Sequence, residues 1–135
     1  VIYSSGLVLI KNNKILLAHP TNTKWTGTFQ IPKGKLEDGE FPINAAIRET
    51  LEEVGILVNI LDINQTKHEI KYDKQGKIFK LVYYFIADVS KYNLPDILPK
   101  EQLQLQEMDY AKFYTKEESR KIIFHRFLPI LNHIK

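Results

Sequence analysis

The segment Gly34–Ile56, GKLEDGEFPINAAIRETLEEVGI, constrains this chain more than any other. Gly34 is followed by Glu40, then by Arg48-Glu49, Glu52-Glu53 and Gly55-Ile56. Pro42 suits the first turn of a helix, where its missing N–H costs nothing. Gly55 suits the position just past a helix end, where a left-handed residue is often needed. The pattern predicts a helix over Pro42–Val54. Ile43, Ile47, Thr50, Leu51 and Val54 follow helical spacing and make an apolar stripe that faces a core. Glu49, Glu52 and Glu53 fall on the opposite face at i, i+3 and i+4, so their side chains converge.

Like charges at that spacing repel by about 0.2–0.5 kcal/mol per pair in an isolated helix. A cation turns the repulsion into coordination. Hard oxygen donors of this kind suit Mg²⁺, with Mn²⁺ as the other candidate. Arg48 reaches Glu52 along the helix and Glu40 before it, and can hold carboxylates in place by charge-assisted hydrogen bonds. A solvated acidic face is the ordinary account of clustered glutamates. It leaves the glycines and the arginine, each at a set distance, unexplained.

These residues resemble the Nudix box, G-x5-E-x7-R-E-U-x-E-E-x-G-U, where U is a bulky aliphatic residue. Every position fits except the first U, which is Thr50. Thr50 lies in the apolar stripe and still can point inward. The resemblance implies an α/β fold, an α/β/α sandwich with a mixed sheet between helices. It also implies hydrolysis of a nucleoside diphosphate linked to another group, with divalent metal. Carried onto this sequence, it implies metal binding by Glu49, Glu52 and Glu53. A backbone carbonyl at Gly34 or the residue before it completes the metal shell in the family. Glu40 and Gly55 take structural places in the motif.

Outside the box, Lys33 and Lys35 in PKGK put two cations and a flexible loop beside the carboxylates, where backbone can approach metal or phosphate. Lys80 resembles a family lysine that touches phosphate. Tyr72, sixteen residues beyond Ile56 in HEIKY, resembles a tyrosine that recurs in hydrolases of dinucleoside polyphosphates. The proline that the family associates with ADP-ribose is absent, because that position is Lys71. PKGK, RETLEEVGI, HEIKY and KLVYYFIADV together look most like the asymmetric diadenosine tetraphosphate hydrolases. Trp25, Tyr83, Tyr84 and Phe85 offer further faces for a base, although alternate members of YYF must face the core. Glu107, six residues before Phe113, resembles a family glutamate that precedes a strand tryptophan; Phe113 replaces that tryptophan. Glu101 is its rival as a base outside the helix. Within the motif Glu53, with Glu52 and Arg48 beside it, is the catalytic candidate.

The rest of the chain is read around this segment. At 135 residues it is expected to form one domain over 1–135, long enough for a core. Strands are expected at Gly6–Ile10 and Ile15–Ala18 around the turn Lys11-Asn12-Asn13-Lys14. Others are expected at Thr28–Ile31, Ile56–Ile63, Lys67–Lys71 and Lys80–Val89, with a last strand beginning at Lys112–Tyr114. Asp73-Lys74-Gln75-Gly76 reads as a turn, residues 90–105 as a loop, and Lys116–Ile134 as mostly helical with Pro129 kinking it. No apolar run approaches a membrane span, so no membrane partner is expected. VIYSSGLVLI lacks the features of a signal peptide and alternates like a strand. There is no cysteine, which fits the cytoplasm. A net charge of +3 and a pI near 9.0 suit a polyanionic small molecule.

The expected ligand is therefore a nucleotide, cleaved at a phosphoanhydride bond. The 5′ end of RNA is the alternative substrate, and a nucleotide-binding module without turnover is the alternative of another class. No obligate protein partner is inferred.

Overall fold

Asn12 and Asn13 take positive φ values of 49° and 64°, as a two-residue hairpin turn requires. That turn joins β1 (Ile2–Lys11) to β2 (Lys14–Pro20). A second such turn, at Gln75 and Gly76, joins β4 (His68–Lys74) to β5 (Lys77–Asp88). With β3 (Lys33–Lys35) and β6 (Met108–Tyr114) they build a six-stranded sheet in the order β4-β5-β1-β2-β6, with β3 paired to β1. The β1–β5 pairing is parallel and the rest antiparallel, so the sheet is mixed. The computed structural model describes residues 1–135.

Helices cover both faces. Leu7 and Leu9 of β1 point to a core that includes Ala46 and Val54 of α1 (Pro42–Val54). Val8 points to a second core with Phe127, Ile130 and Leu131 of a 3₁₀ helix, His125–His133. This is the expected α/β sandwich, and alternation along a central strand is what feeds both layers. No helix is long and apolar enough to cross a membrane.

Four local expectations are corrected. Ile56–Ile63 is not a strand: it runs extended, turns through a short 3₁₀ helix at Ile60–Asp62, and touches the sheet at one bridge, Ile63 to Ala87. Ile56 and Val58 are buried and Leu57 is exposed, so the alternation is real but has no pairing partner along its length. Thr28–Ile31 likewise makes only isolated bridges, Gln30 to Ala18 and Phe29 to Ile123. PKGK, expected as a loop, contributes β3 against Ser4–Gly6. Lys116–Ile134 is mostly helical as expected, but it breaks ahead of Pro129: α2 (Lys116–Ile122) begins at a Thr115/Glu118 capping box and ends where Ile123 bridges Phe29 and Phe124 donates its N–H to the Phe29 carbonyl, while Pro129 lies inside the 3₁₀ helix.

Candidate active site

The helix α1 begins at Pro42 without a side-chain cap and ends at Gly55, whose φ is 71°. The buried stripe differs from the expected one. Leu51 is exposed, while Ala45, Ala46, Thr50 and Val54 are buried, and Glu53 is buried with them. Thr50, the departure from the motif, satisfies its hydroxyl within the helix by donating to the Ala46 carbonyl at 2.7 Å. The glutamates therefore do not share one solvent face.

Each acidic side chain has its own anchor. Arg48 forks onto Glu40, with Nε and Nη2 each 2.9 Å from a carboxylate oxygen. Its Nε also stands 2.9 Å from Glu37. Nη1 donates to Glu49 at 2.9 Å and to Glu52 at 3.2 Å, and Nη2 to the Lys35 carbonyl at 3.0 Å. These pairings, Glu40 first, raise the guanidinium pKa and hold the Glu40 carboxyl below its usual range. Glu53 instead accepts from the Lys33 backbone N–H at 3.1 Å. Burial pushes its carboxyl up to about 8, opposed by that hydrogen bond and by the Lys33 charge. Burial also raises Glu49, against the pull of Arg48.

Two glycines stand at close approaches. A Cβ on Gly34 would sit about 2.0 Å from the Glu49 carboxyl carbon, so any other residue would push that flexible side chain off β3. A Cβ on Gly55 would fall 2.7 Å from the Gln102 carbonyl oxygen. Gly55 thus both ends the helix and admits the loop that follows β5. Gly55→Ala should cost about 1–3 kcal/mol, from left-handed strain and displaced backbone. Chemical denaturation checks this, and an unchanged midpoint would show that the loop yields freely.

That loop brings Glu107 to the helix. Lys33, Gly34, Lys35, Glu49, Glu52, Glu53, Gln104 and Glu107 line one open cleft of about 420 Å³. Glu107 is close enough to Glu53 to help raise its pKa. Glu101 sits exposed on a separate 3₁₀ turn, Lys100–Gln102, and is not among the lining residues.

Lys33 connects this cleft to the opposite face of the sheet. Its ammonium stands beside that of Lys80, and burial first, then the Lys80 charge, lowers its pKa to about 8. Lys80 in turn lies 5.1 Å from the centre of the Tyr72 ring. Glu53, Lys33, Lys80 and Tyr72 therefore form a continuous run across the sheet. Tyr72 is half-buried against Phe79, Phe124 and Phe127, with the Arg126 guanidinium 4.9 Å from its ring centre. Lys35 is exposed. Of the other aromatics, Tyr84, Phe85 and Phe113 are buried, and Tyr83 stacks on Tyr3. Trp25 is 52% exposed and lies on His19, a residue that belongs to no motif in the sequence. The one signal for His19 is a polar side chain at the end of the continuous apolar run ILLA, which is buried on both faces.

The donor set fits a hard divalent cation: carboxylates from Glu49, Glu52 and Glu53, a glycine that makes room for one of them, and a buried carboxyl whose raised pKa a nearby cation would reverse. As the side chains stand, no group of three closes on a common point, since Glu49 and Glu52 both turn to Arg48.

Comparison with known proteins agrees with this geometry. The NUDIX domain family model matches residues 3–127. An ADP-ribose pyrophosphatase of Methanocaldococcus jannaschii is 33% identical over 82 residues, 61% of this chain and 47% of that protein. An RNA pyrophosphohydrolase of a Sulfurovum species is 30% identical over 100 residues, covering 74% of this chain and 62% of that protein. The chain thus spans about half to three-fifths of these curated relatives. Among solved structures, a C. elegans Ap4A hydrolase binary complex superposes with a TM-score of 0.66 at 27% identity, covering 99% of this chain and 100% of that one.

Proposed function

This chain belongs to the Nudix family, and on that premise we propose that it hydrolyses a phosphoanhydride bond in a nucleoside diphosphate-X substrate. The observation that carries the reading is the cleft in which Glu49, Glu52, Glu53 and Glu107 stand beside Lys33 and Lys35. Glu49, Glu52 and Glu53, with the Gly34 carbonyl, would hold Mg²⁺, or Mn²⁺ in its place. Such a cation, when bound, offsets charge on phosphate oxygens and acidifies water. Arg48 keeps Glu49 and Glu52 aligned. Water attacks phosphorus, its oxygen forms the new P–O bond, and Glu53 or Glu107 takes the proton. The anhydride bond breaks and its electron pair leaves on the departing phosphate. Lys33, Lys35 and Lys80 offset the charge that accumulates on the polyphosphate.

For the substrate we favour a dinucleoside polyphosphate, diadenosine tetraphosphate cut asymmetrically to ATP and AMP. The run from Glu53 through Lys33 and Lys80 to Tyr72 supports it, because it offers cations along a polyphosphate and an aromatic surface at its far end. Likeness to the Ap4A hydrolase over the whole of both chains adds to it. Tyr72→Ala should weaken the dinucleotide more than ATP, by about 1–3 kcal/mol for a lost stack. Chromatography of products from a substrate panel, with Mg²⁺ and with chelator, is the test. Two ADP as products, or faster cleavage of ADP-ribose, would remove this substrate.

The second reading is removal of pyrophosphate from RNA 5′ ends, supported by likeness to the Sulfurovum RNA pyrophosphohydrolase. Faster turnover of triphosphorylated RNA in the same panel would select it. A binding module without turnover has no use for four carboxylates around one cleft, and absence of any hydrolysis across the panel would favour it.

A further inference from the structure

Glu107 lies outside the helix motif, so something else must turn it into the cleft. The turn before β6, and the bulge at the start of that strand, supply the means. Ala111 and Phe113 face the core on the α1 side, while Tyr110 and Tyr114 pack on the other. Strict alternation would send residue 109 toward α1 and residue 108 away from it. Met108 is nevertheless buried in the α1-side core. The register with β2 accounts for the change: His19 pairs with Tyr110 and Pro20 with Met108, which leaves Asp109 as the extra residue of a β-bulge. A bulge re-aims the side chains beyond it. Glu107 lies just before β6, in a turn closed by its own N–H to the Gln104 carbonyl, so its direction depends on where that turn is held.

The bulge is held from β2. His19 is 3% exposed, and its Nδ1 lies 2.6 Å from the Asp109 carboxylate. Its Nε2 lies 2.9 Å from the Lys24 carbonyl, which ties down the loop after β2. Thr21 in that loop donates its N–H to the Glu107 carbonyl at 3.0 Å and its hydroxyl to the Leu105 carbonyl at 2.7 Å. From the opposite side, Gln104 donates its N–H to the Glu53 carbonyl at 2.9 Å, and its own carbonyl accepts the Glu107 N–H at 2.8 Å. The backbone of Glu107 is thus fastened between the end of α1 and the end of β2.

We propose that His19 is a positioning residue: its bonds to Asp109 and to the Lys24 carbonyl hold the bulge and the loop after β2, and Thr21 of that loop holds the turn that carries Glu107 into the carboxylate cleft. This rests on the reading of Glu107 as an acceptor of the proton from attacking water. His19 itself does not line the cleft. Its competing role is packing, since the ring lies 4.2 Å from Trp25 and 5.3 Å from Phe29 between centroids. His19→Phe keeps an aromatic ring there and removes both hydrogen bonds, so it separates the two roles.

The experiment is a double-mutant cycle of His19→Phe with Glu107→Gln, using steady-state kinetics with Mg²⁺ on the best substrate of the panel. His19→Phe alone should lower kcat by about 10- to 100-fold, the effect of a small misplacement of a reacting group. In the Glu107→Gln background it should have little further effect, because coupled residues are not additive. Equal losses in both backgrounds, or no loss in the single variant, overturn the proposal. If Glu107→Gln keeps wild-type turnover, the base reading of Glu107 fails by itself. Positioning is then judged by hydrogen exchange at the Thr21 amide, which His19→Phe should accelerate; unchanged exchange overturns it. Should His19→Phe fail to fold, Asp109→Asn takes its place in the same cycle, with the same pattern expected at smaller size.

Discussion

Glu53→Gln is expected to lower turnover on the order of 10²-fold or more while leaving the fold at least as stable. Glu53 is 6% exposed and accepts one hydrogen bond, from the Lys33 N–H. The amide oxygen of glutamine can accept the same bond in nearly the same volume. What disappears is the charge. For the folded protein that loss is neutral or favourable, since a buried carboxylate is costly. For the reaction it is severe, because a neutral amide is a poor ligand for a hard cation and a poor proton acceptor. The signature is therefore a large fall in kcat with an unchanged or higher Tm. Wild-type turnover in a folded Glu53→Gln protein would sink the assignment of the site.

Replacing Arg48 should be the second large effect, and of a different kind. Its guanidinium serves Glu37, Glu40, Glu49, Glu52 and the Lys35 carbonyl together. Arg48→Ala leaves the largely buried Glu40 and Glu49 without that partner, costing about 1–3 kcal/mol of stability. Freed of the fork, Glu49 and Glu52 repel one another and leave their alignment. Turnover should fall about 10- to 100-fold, with the Michaelis constant changing much less. Arg48→Lys should rescue little, because one ammonium cannot reproduce a planar fork that spans the groups between β3 and α1 and those along α1. A variant that changes only the Michaelis constant would make Arg48 a substrate contact instead.

The Pro42–Val54 helix, its glycine stop and the reach of Arg48 to Glu40 and Glu52 are legible in the sequence, because all depend on residues close together along the chain. Local spacing gives the direction of a side chain on a helix without further information. The same spacing misjudges Leu51 and Glu53. It divides a helix into two faces, while the actual boundary between buried and exposed depends on where β3 and the 102–107 loop press against it. Ile56–Ile63 shows the same limit in extended chain: alternation reports which side chains turn inward, and pairing depends on whether a neighbouring strand is there.

Motif, helix, hairpin turns and mixed α/β class are thus properties of the sequence alone, since each follows from short-range backbone preference and periodicity. The meeting of Glu53 with Lys33, of Lys33 with Lys80, and of Glu107 with the cleft joins residues 20, 47 and 54 positions apart. No local preference encodes such contacts. They arise when β3 pairs with β1, when β1 and β5 run parallel, and when Thr21 after β2 and Glu53 at the end of α1 take hold of the turn that carries Glu107. A strand's register is decided by what both of its faces bury, and that is settled only when the layers close.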